Sequence, residues 1–538
     1  MNDSKSSLLL QKSGQLLTRG QYREALSLFK DAETHLFDDP RLLFNYAFCL
    51  DALRAPAQAI NLLITHIKQI TAFAKCCDLL ARLLEKIGRH QDALTIIDEW
   101  LEKVGNNEEL LRSKIFILRM MQNANLACDI SENLDLSLTQ NQFIHAICLH
   151  ESGECDSAIS LLEQIVKREP LLINAHDFLN KLYWESNNTG LFLKSYSDQL
   201  ALTPESLALW HAMISMQILA EAYDDALANT ELALKHHSAD ITLKHMQSVV
   251  LSRLEQHSKA QARLDECLAV DPSNTRYLID KAVYNLETGQ NSTAMNLLQS
   301  AIAVQAFNQE TMAYIASTLR TISDEQRQWL YNYDAFIHTV NIQSTFNEHC
   351  NNANAWTDLQ TLCKALHQKG YAPLDQSVRG GTQTSGKVLS IEHPLIEALL
   401  DVLRSQIDKY LTTLPSDPNH PFLSRFSDNY YFAGSWSVKL QNAGLHISHV
   451  HPQGWLSICL YIALPEAVKQ SQADKQGWIY FGKSHLNINE TPDLEIQPEE
   501  GKLIIFPAYF WHGTYKFDAS PSEHRLSLIA DIEPTYKL

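Results

Sequence analysis

Three histidines and an arginine–serine pair near the C-terminus have the types and spacing of a metal site next to an anion site. His449 and His451 lie two residues apart, just before an apolar stretch, and His512 follows 61 residues after His451. In an extended chain, side chains at positions i and i+2 share a face, so the first two imidazoles can reach one point. The same rule places Arg525 and Ser527 together on a later strand.

These residue types suit one particular chemistry. Three neutral ligands on one face of an octahedral ion leave the other positions open, which is what O₂-activating non-haem iron requires. An arginine offers a planar fork to a carboxylate, and a nearby serine hydroxyl completes the clamp. A His-x-His pair alone is weak support in a chain with 22 histidines. The hypothesis of a metal site with a dicarboxylate cosubstrate therefore depends on the ordered set.

Short alternating strands separated by turns must position these residues. We predict strands at 436–440, 456–464, 478–481, 503–506 and 526–531, preceded by helices at 353–369 and 394–412. The C-terminal third is therefore expected to be mainly β, with flanking helices.

An internal repeat organises the first 321 residues. Alanines recur every 34 residues at 25, 59, 93 and 127; after one step of 31 to Ala158 the period resumes at Phe192, Ala226, Ala260 and Ala294. Further small residues lie twelve positions earlier in many units, and proline lies twelve positions later in several. The pattern resembles the tetratricopeptide repeat, a 34-residue helix–turn–helix unit. We predict nine units and a terminal half unit, forming an extended surface for a protein or peptide partner.

Residues from about 371 to 535 resemble the prolyl-hydroxylase-like bacterial group of Fe(II)/2-oxoglutarate-dependent oxygenases. The resemblance rests on HVHPQGWLS from His449, on PEEGKLIIFP from Pro498, on the distal histidine followed by arginine, and on DQSVRGGTQT at 375–384. It implies a double-stranded β-helix (jelly-roll, cupin-like) barrel that binds Fe(II), 2-oxoglutarate and O₂.

The resemblance also implies residue roles. His449, His451 and His512 would be the metal ligands and catalytic residues. Arg525 and Ser527 would bind the far carboxylate of 2-oxoglutarate, with Tyr461 touching the cosubstrate and Lys439 assisting. The wider superfamily has Asp or Glu where this chain has His451, so a three-histidine site would lack an anionic ligand and its metal identity stays open. His446 is an alternative ligand, although its spacing from His449 turns it to the opposite face of a strand.

A competing motif is rejected. The stretch Gly381–Lys387 (GTQTSGK) matches most of a phosphate-binding loop. Val388 stands where such loops need a hydroxyl for Mg²⁺, no apolar strand leads in, and no helix opens on Lys387. We interpret the stretch as a glycine-rich turn.

Composition excludes several classes of protein. A net charge of −18 opposes a duplex nucleic-acid partner. No apolar run reaches the ~20 residues that span a bilayer, and the N-terminus lacks the features of a secretory signal. Ten cysteines without a CxxC pair indicate free thiols in a reducing compartment. A cytoplasmic protein without membrane attachment is expected.

Together these patterns predict an α+β multidomain protein: a tetratricopeptide solenoid at 1–321, a helical junction at 322–345 and an oxygenase domain at 346–538. The expected activity is that of a 2-oxoglutarate-dependent dioxygenase, a hydroxylase of a peptide or protein held in the concave face of the repeats. Two alternatives stay open: a scaffold with an inactive barrel, and an oxygenase acting on a small molecule. The sequence leaves the substrate and the oligomeric state undetermined.

Overall fold

The computed structural model describes residues 2–32, 37–70, 73–367, 374, 376–486 and 488–537. In this part of the chain, nine helix pairs and a tenth first helix follow one another through the N-terminal region. The pairs are Asn2–Thr18 and Tyr22–Lys30, Pro40–Ala52 and Pro56–Thr65, Ala74–Lys86 and His90–Val104, Glu108–Met120 and Ala124–Ser131, Thr139–Glu151 and Cys155–Arg168, Ile173–Glu185 and Lys194–Leu202, Leu207–Leu219 and Tyr223–His236, Ile241–Arg253 and His257–Val270, Thr275–Glu287 and Asn291–Val304, followed by Gln309–Ile322. A short helix, Ile67–Ile70, follows the second pair.

The repeated alanines lie where the helices of a pair meet. All eight of them, from Ala25 to Ala294, are completely buried. A side chain of one carbon lets two helix backbones approach closely, which explains the regular spacing within this chain. Phe192 breaks the pattern: it precedes the helix Lys194–Leu202 and packs on Trp184 with ring centroids 5.3 Å apart.

The turn within each pair also repeats. Nine residues with positive φ follow the repeat period; they are Gly20, Arg54, Gly88, Gln122, Gly153, Asn187, Glu221, Glu255 and Gly289. Glycine adopts this left-handed conformation readily, whereas other residues are strained in it. Five of the nine positions nevertheless carry a side chain, and three of those five side chains have a partner outside the repeats.

The C-terminal domain consists of two antiparallel sheets. Its strands, in chain order, are β1 His338–Asn341, β2 Val378–Gln383, β3 Tyr430–His446, β4 Leu456–Ala463, β5 Ile479–Phe481, β6 Leu494–Ile496, β7 Lys502–Pro507, β8 His512–Thr514 and β9 Arg525–Pro534. A six-stranded sheet has the order β1-β7-β4-β9-β3-β2, and a three-stranded sheet has the order β6-β5-β8. The central strands β4 and β9 are almost entirely buried. The predicted fold class, a helical solenoid followed by a double-stranded β-helix with flanking helices, is confirmed.

Helices cover the outside of the larger sheet. Ala355–Ala365 and Pro394–Leu411 correspond to the two predicted helices and contribute Trp356, Leu399 and Leu403 to the core. Their positions agree with the sequence prediction except at the ends, where the structure has shorter helices.

The segment between repeats and sheets differs in part from the prediction of a helical junction at 322–345. It begins with helices Asp324–Leu330 and Tyr333–Phe336, but β1 at 338–341 pairs with β7 and forms an edge of the larger sheet. The burial of the residues of β1 alternates, as in other edge strands. Four residues are too few for this period to be recognised in the sequence, which explains why the strand was not predicted. The domain boundaries at 321/322 and 345/346 stay predictions.

The repeats contact the C-terminal domain at many points along their length. Most of the contacts lie at the ends of the first helices and in the turns that follow them, and one lies within the helix Gln309–Ile322. They include Arg54 with Glu533, Glu85 with Lys387, Gln122 with Ser385, Glu221 with Arg379, and Ala313 with Trp511. Arg425 forms an ion pair with Glu533, the residue that Arg54 of the second unit also contacts. The guanidinium of Arg425 also lies 5.6 Å from the ring centre of Phe307, which is next to the tenth unit. The array therefore curves round the C-terminal domain. None of the helices that the structure describes is long and apolar enough to cross a membrane.

Candidate metal centre

The three predicted histidines converge on one point between the two sheets. His449 and His451 lie in the connection from β3 to β4, and His512 begins β8. Paired backbone hydrogen bonds join His449 to His512 with N–O distances of 2.9 and 3.1 Å, which fixes the two ligand segments side by side. One ring nitrogen from each histidine lies within 4.8 Å of the others, and no other such group of three occurs among the described residues.

Each of the three rings is held by its Nδ1 atom. His449 Nδ1 lies 2.8 Å from the carbonyl of Ile447, and His512 Nδ1 lies 2.9 Å from the carbonyl of Phe510. A carbonyl can only accept, so both Nδ1 atoms carry the proton and both Nε2 atoms are acceptors. The Nε2 atom of His449 lies 3.5 Å from Ser377 Oγ, a long hydrogen bond that a metal ion would replace. Burial lowers the pKa of His449 to about 3 and the pKa of His512 well below its usual value, so both imidazoles are in the neutral, metal-binding form.

His451 has a different anchor, and the sequence interpretation missed it. Its Nδ1 lies 2.5 Å from Oδ1 of Asp531, which also accepts a hydrogen bond of 2.7 Å from Ser457 Oγ. The indole of Trp436 stacks on the His451 ring with centroids 5.8 Å apart. A carboxylate behind a histidine ligand fixes the ring and increases its basicity. Asp531 therefore places negative charge behind the position where the superfamily has a ligating carboxylate.

The anion pocket lies beside the histidines, on the central strands β4 and β9. Arg525, Ser527 and Tyr461 are almost completely buried. Among the described residues, Arg525 Nε and Nη1, Ser527 Oγ and Tyr461 OH have no hydrogen-bond partner. The Arg525 guanidinium lies 4.9 Å from the centre of the Tyr461 ring. Buried polar groups are nearly always satisfied, so this cluster fits a bound carboxylate.

One cavity of about 310 Å³ joins the two sites. Its walls include the three histidines together with Arg525, Ser527 and Asp531. A metal ion and a small dicarboxylate bound to these residues would therefore be neighbours. Tyr461 lies behind the wall, against Arg525, where it supports the guanidinium.

The prediction for Lys439 is corrected. Lys439 lies opposite Leu526 in the β3–β9 register, whereas Arg525 faces the cavity from the adjacent position. Neighbouring residues of a strand point to opposite faces, so Lys439 points away from the cavity. There, burial and the charge of Lys439 lower the pKa of His367 to about 4.

His446, the alternative ligand, lines the same cavity but does not join the ligand group. Its ring centroid lies 5.8 Å from that of His449, and its Nδ1 lies 3.1 Å from Ser377 Oγ. Burial lowers the pKa of His446 well below the usual value. It is a neutral wall of the site.

The stretch that resembles a phosphate loop begins in a strand, whereas the sequence predicted a glycine-rich turn. Gly381 and Gln383 belong to β2. The Lys387 ammonium lies 2.7 Å from Glu85, and its backbone N–H donates to the carbonyl of Met120 at 3.0 Å. The lysine that would bind phosphate is instead paired with a carboxylate of the third repeat.

The segment DQSVRGGTQT (375–384), which overlaps this stretch, has two sides. Gln376, Ser377 and Gln383 line the metal cavity, and Arg379 forms an ion pair of 2.9 Å with Glu221 of the seventh repeat. Asp375, the first residue of the predicted signature, lies outside the described residues. The segment therefore connects the wall of the metal cavity to the repeat array.

The C-terminal domain therefore combines a jelly roll, three convergent histidines and a buried arginine whose Nε and Nη1 atoms have no hydrogen-bond partner among the described residues. Residues 434–531 match the model of the family described as "Putative 2OG-Fe(II) oxygenase". The match covers β3 to β9, with all the ligand candidates and the anion pocket. The predicted resemblance of the C-terminal domain to this family is confirmed.

The structural comparisons return repeat proteins. A thermophilic TPR protein from Thermus thermophilus is 20% identical, with 34% of this chain and 100% of that chain covered and a TM-score of 0.28. A tetratricopeptide repeat protein from Parabacteroides merdae is 12% identical, with 59% and 99% covered and a TM-score of 0.32. Yeast Tom70 is 11% identical, with 78% and 98% covered and a TM-score of 0.33. No curated protein matches the chain.

Proposed function

We propose that the protein is an Fe(II)- and 2-oxoglutarate-dependent dioxygenase that hydroxylates a peptide or protein substrate. One observation carries the proposal: three convergent imidazoles share a cavity of about 310 Å³ with a buried arginine and a buried serine whose side chains have atoms without hydrogen-bond partners among the described residues. The family match supports the same activity.

His449, His451 and His512 would hold the metal through Nε2. Arg525 would bind the far carboxylate of 2-oxoglutarate through Nε and Nη1, and Ser527 would donate its hydroxyl to the same group. When bound, Fe(II) and 2-oxoglutarate supply hydroxylation by O₂ coupled to decarboxylation of the cosubstrate to succinate.

The chain's own residues prepare this site. The Nδ1 anchors fix all three rings before a metal arrives, which limits the rearrangement on binding. Ile458, Ile479 and Phe506 form apolar walls of the cavity. Among the described residues, Nε and Nη1 of the buried Arg525 have no hydrogen-bond partner, so the pocket favours a negatively charged cosubstrate.

The repeats would bring the substrate to this cavity. Helical repeats of this kind present extended binding surfaces. Here part of that surface holds the C-terminal domain itself, so a substrate would bind the repeat surface that remains beside the cavity. We propose the domain division 1–321, 322–345 and 346–538 on the same basis.

The proposal is tested with Fe(II)-reconstituted protein and 2-oxoglutarate. We expect succinate formation without added substrate, and its loss in His512→Ala and Arg525→Ala. Lys439→Ala is a matched control on the opposite face of the same sheet and should keep the activity. Metal binding without succinate formation in the wild type would instead support the inactive scaffold.

A substrate is sought with the full-length His512→Ala variant as a trap. Proteins or peptides captured by this variant are incubated with wild-type enzyme and examined for a gain of one oxygen by mass spectrometry. Captured material that is never oxidised would argue against a peptide or protein substrate.

A further inference from the structure

A cysteine, a histidine and a glutamate form a linked cluster far from the metal centre. Cys155 Sγ lies 3.5 Å from His150 Nδ1, and His150 Nε2 lies 3.4 Å from a carboxylate oxygen of Glu185. The three residues come from the fifth and sixth repeats. The turn at Gly153, with φ of 98°, reverses the chain between His150 and Cys155 so that the two side chains meet.

The cluster lies on the wall of a second cavity. This cavity, of about 500 Å³, lies between the repeats and β2 of the C-terminal domain, and all three side chains line it. Gln383 lines both this cavity and the metal cavity. His150 is 7% exposed, so its ring is fixed, while Cys155 is only partly buried and faces the space. A reagent that enters the cavity can therefore reach the sulfur.

Three features of the position favour the thiolate. The imidazole can take the thiol proton, and the Glu185 carboxylate stabilises the resulting imidazolium. Cys155 is also the first residue of the 14-residue helix Cys155–Arg168, where backbone N–H groups favour a negative charge.

The remaining cysteines provide a contrast. Seven of the ten are buried, and Cys128 and Cys350 are partly exposed like Cys155. Burial raises the pKa of Cys128 and of Cys350. Burial also raises the pKa of Cys76, Cys148 and Cys363 to about 12.

We propose that Cys155, with His150 and Glu185, is a reactive thiol site for soft electrophiles and peroxides. With a haloacetamide, the thiolate attacks the halogen-bearing carbon, an S–C bond forms and halide leaves. With hydrogen peroxide, the sulfur attacks one oxygen and the O–O bond breaks. The cysteine is oxidised to the sulfenic acid and the peroxide is reduced, releasing hydroxide that takes up a proton. This inference does not depend on the proposed oxygenase function.

The test is site-resolved alkylation of the folded full-length chain with iodoacetamide, quantified by mass spectrometry over time. At pH 7 we expect Cys155 to react at least about tenfold faster than Cys128 and Cys350. Cys128 and Cys350 are matched controls with similar exposure. Equal rates at the three positions would overturn the proposal.

Variants separate activation from exposure. His150→Gln should bring the alkylation rate of Cys155 down to that of Cys350, and Glu185→Gln should lower it by a smaller factor. In the wild type, the rate at Cys155 should reach its plateau at a lower pH than the rate at Cys350. An unchanged rate in folded His150→Gln, shown by an unchanged circular dichroism spectrum, would contradict the role of the histidine. Cys155 that is fast to alkylate but inert to peroxide would contradict the peroxide half of the proposal.

Discussion

The carboxylate of Asp531 should determine how tightly the three-histidine site binds its metal. Asp531→Asn keeps the size of the side chain but removes the negative charge that lies 2.5 Å from His451 Nδ1. Loss of such a partner behind a metal-bound histidine lowers affinity by about 10- to 100-fold. That range corresponds to about 1.4 to 2.7 kcal/mol of binding free energy.

The assay is an anaerobic Fe(II) titration of wild type and Asp531→Asn against a chelator of known affinity, so no turnover is needed. Ser457→Ala is the matched control, because it removes the other hydrogen bond to the same carboxylate oxygen while keeping the charge. We expect a clearly smaller effect in Ser457→Ala. Wild-type affinity in folded Asp531→Asn would refute the reasoning.

A double variant examines the charge balance directly. His451→Asp alone would restore the His-x-Asp pattern of the superfamily but would place two carboxylates side by side, which repel each other. Adding Asp531→Asn removes the repulsion. Repulsion raises the pKa of one carboxylate, so metal binding by His451→Asp alone should depend more steeply on pH than metal binding by the double variant, as measured by the same titration at several pH values. An equal pH dependence would show that the two carboxylates do not interact.

Three further changes follow from the geometry. Arg525→Ala should weaken 2-oxoglutarate binding by about 3 kcal/mol, measured by calorimetry in metal-loaded protein, because the buried carboxylate loses its charge partner. Lys387→Ala should lower the free energy of unfolding, measured in urea, by about 3 kcal/mol, because Glu85 would stay buried without its cation. The double variant Lys387→Met with Glu85→Leu should recover most of this loss. Burial and the charge of Lys387 lower the pKa of His90 to about 4. Below pH 6.5, His90 binds a proton in the unfolded chain but not in the folded chain. The free energy of unfolding should therefore fall by up to about 3 kcal/mol between pH 6.5 and 4, and it should fall less steeply in His90→Asn.

Strand alternation explains both the successes and the failures of the sequence interpretation. It placed His449 with His451 and Arg525 with Ser527, and the structure brings all four to one cavity. The same rule, continued for two more steps along β9, leads to Asp531, which a sequence argument could have found. It could also have excluded Lys439, which stands at an odd offset from the cavity-lining Trp436.

Contacts between distant segments had no comparable signal. The repeat period is visible in the sequence because it recurs in nine units. No periodic sequence pattern connects Glu85 to Lys387 or Ala313 to Trp511. The Cys155–His150 contact likewise depends on one left-handed turn at Gly153. Such contacts are set by tertiary geometry, in which each residue pair occurs once.

The left-handed turn residues of the repeats show that the array is adapted to its own C-terminal domain. Four repeats use glycine at this position, so the fold does not need a side chain there. A non-glycine residue in this conformation costs about 1 kcal/mol or more. Three residues in this strained conformation contact the C-terminal domain. Arg54 pairs with Glu533, Gln122 lies 2.7 Å from the carbonyl of Ser385, and Glu221 lies 2.9 Å from Arg379. These turns lie at helix ends that contact the C-terminal domain, so a side chain placed there can reach it. The strain is therefore best understood as offset by docking, which makes the repeats a frame for the metal cavity as well as a surface for partners.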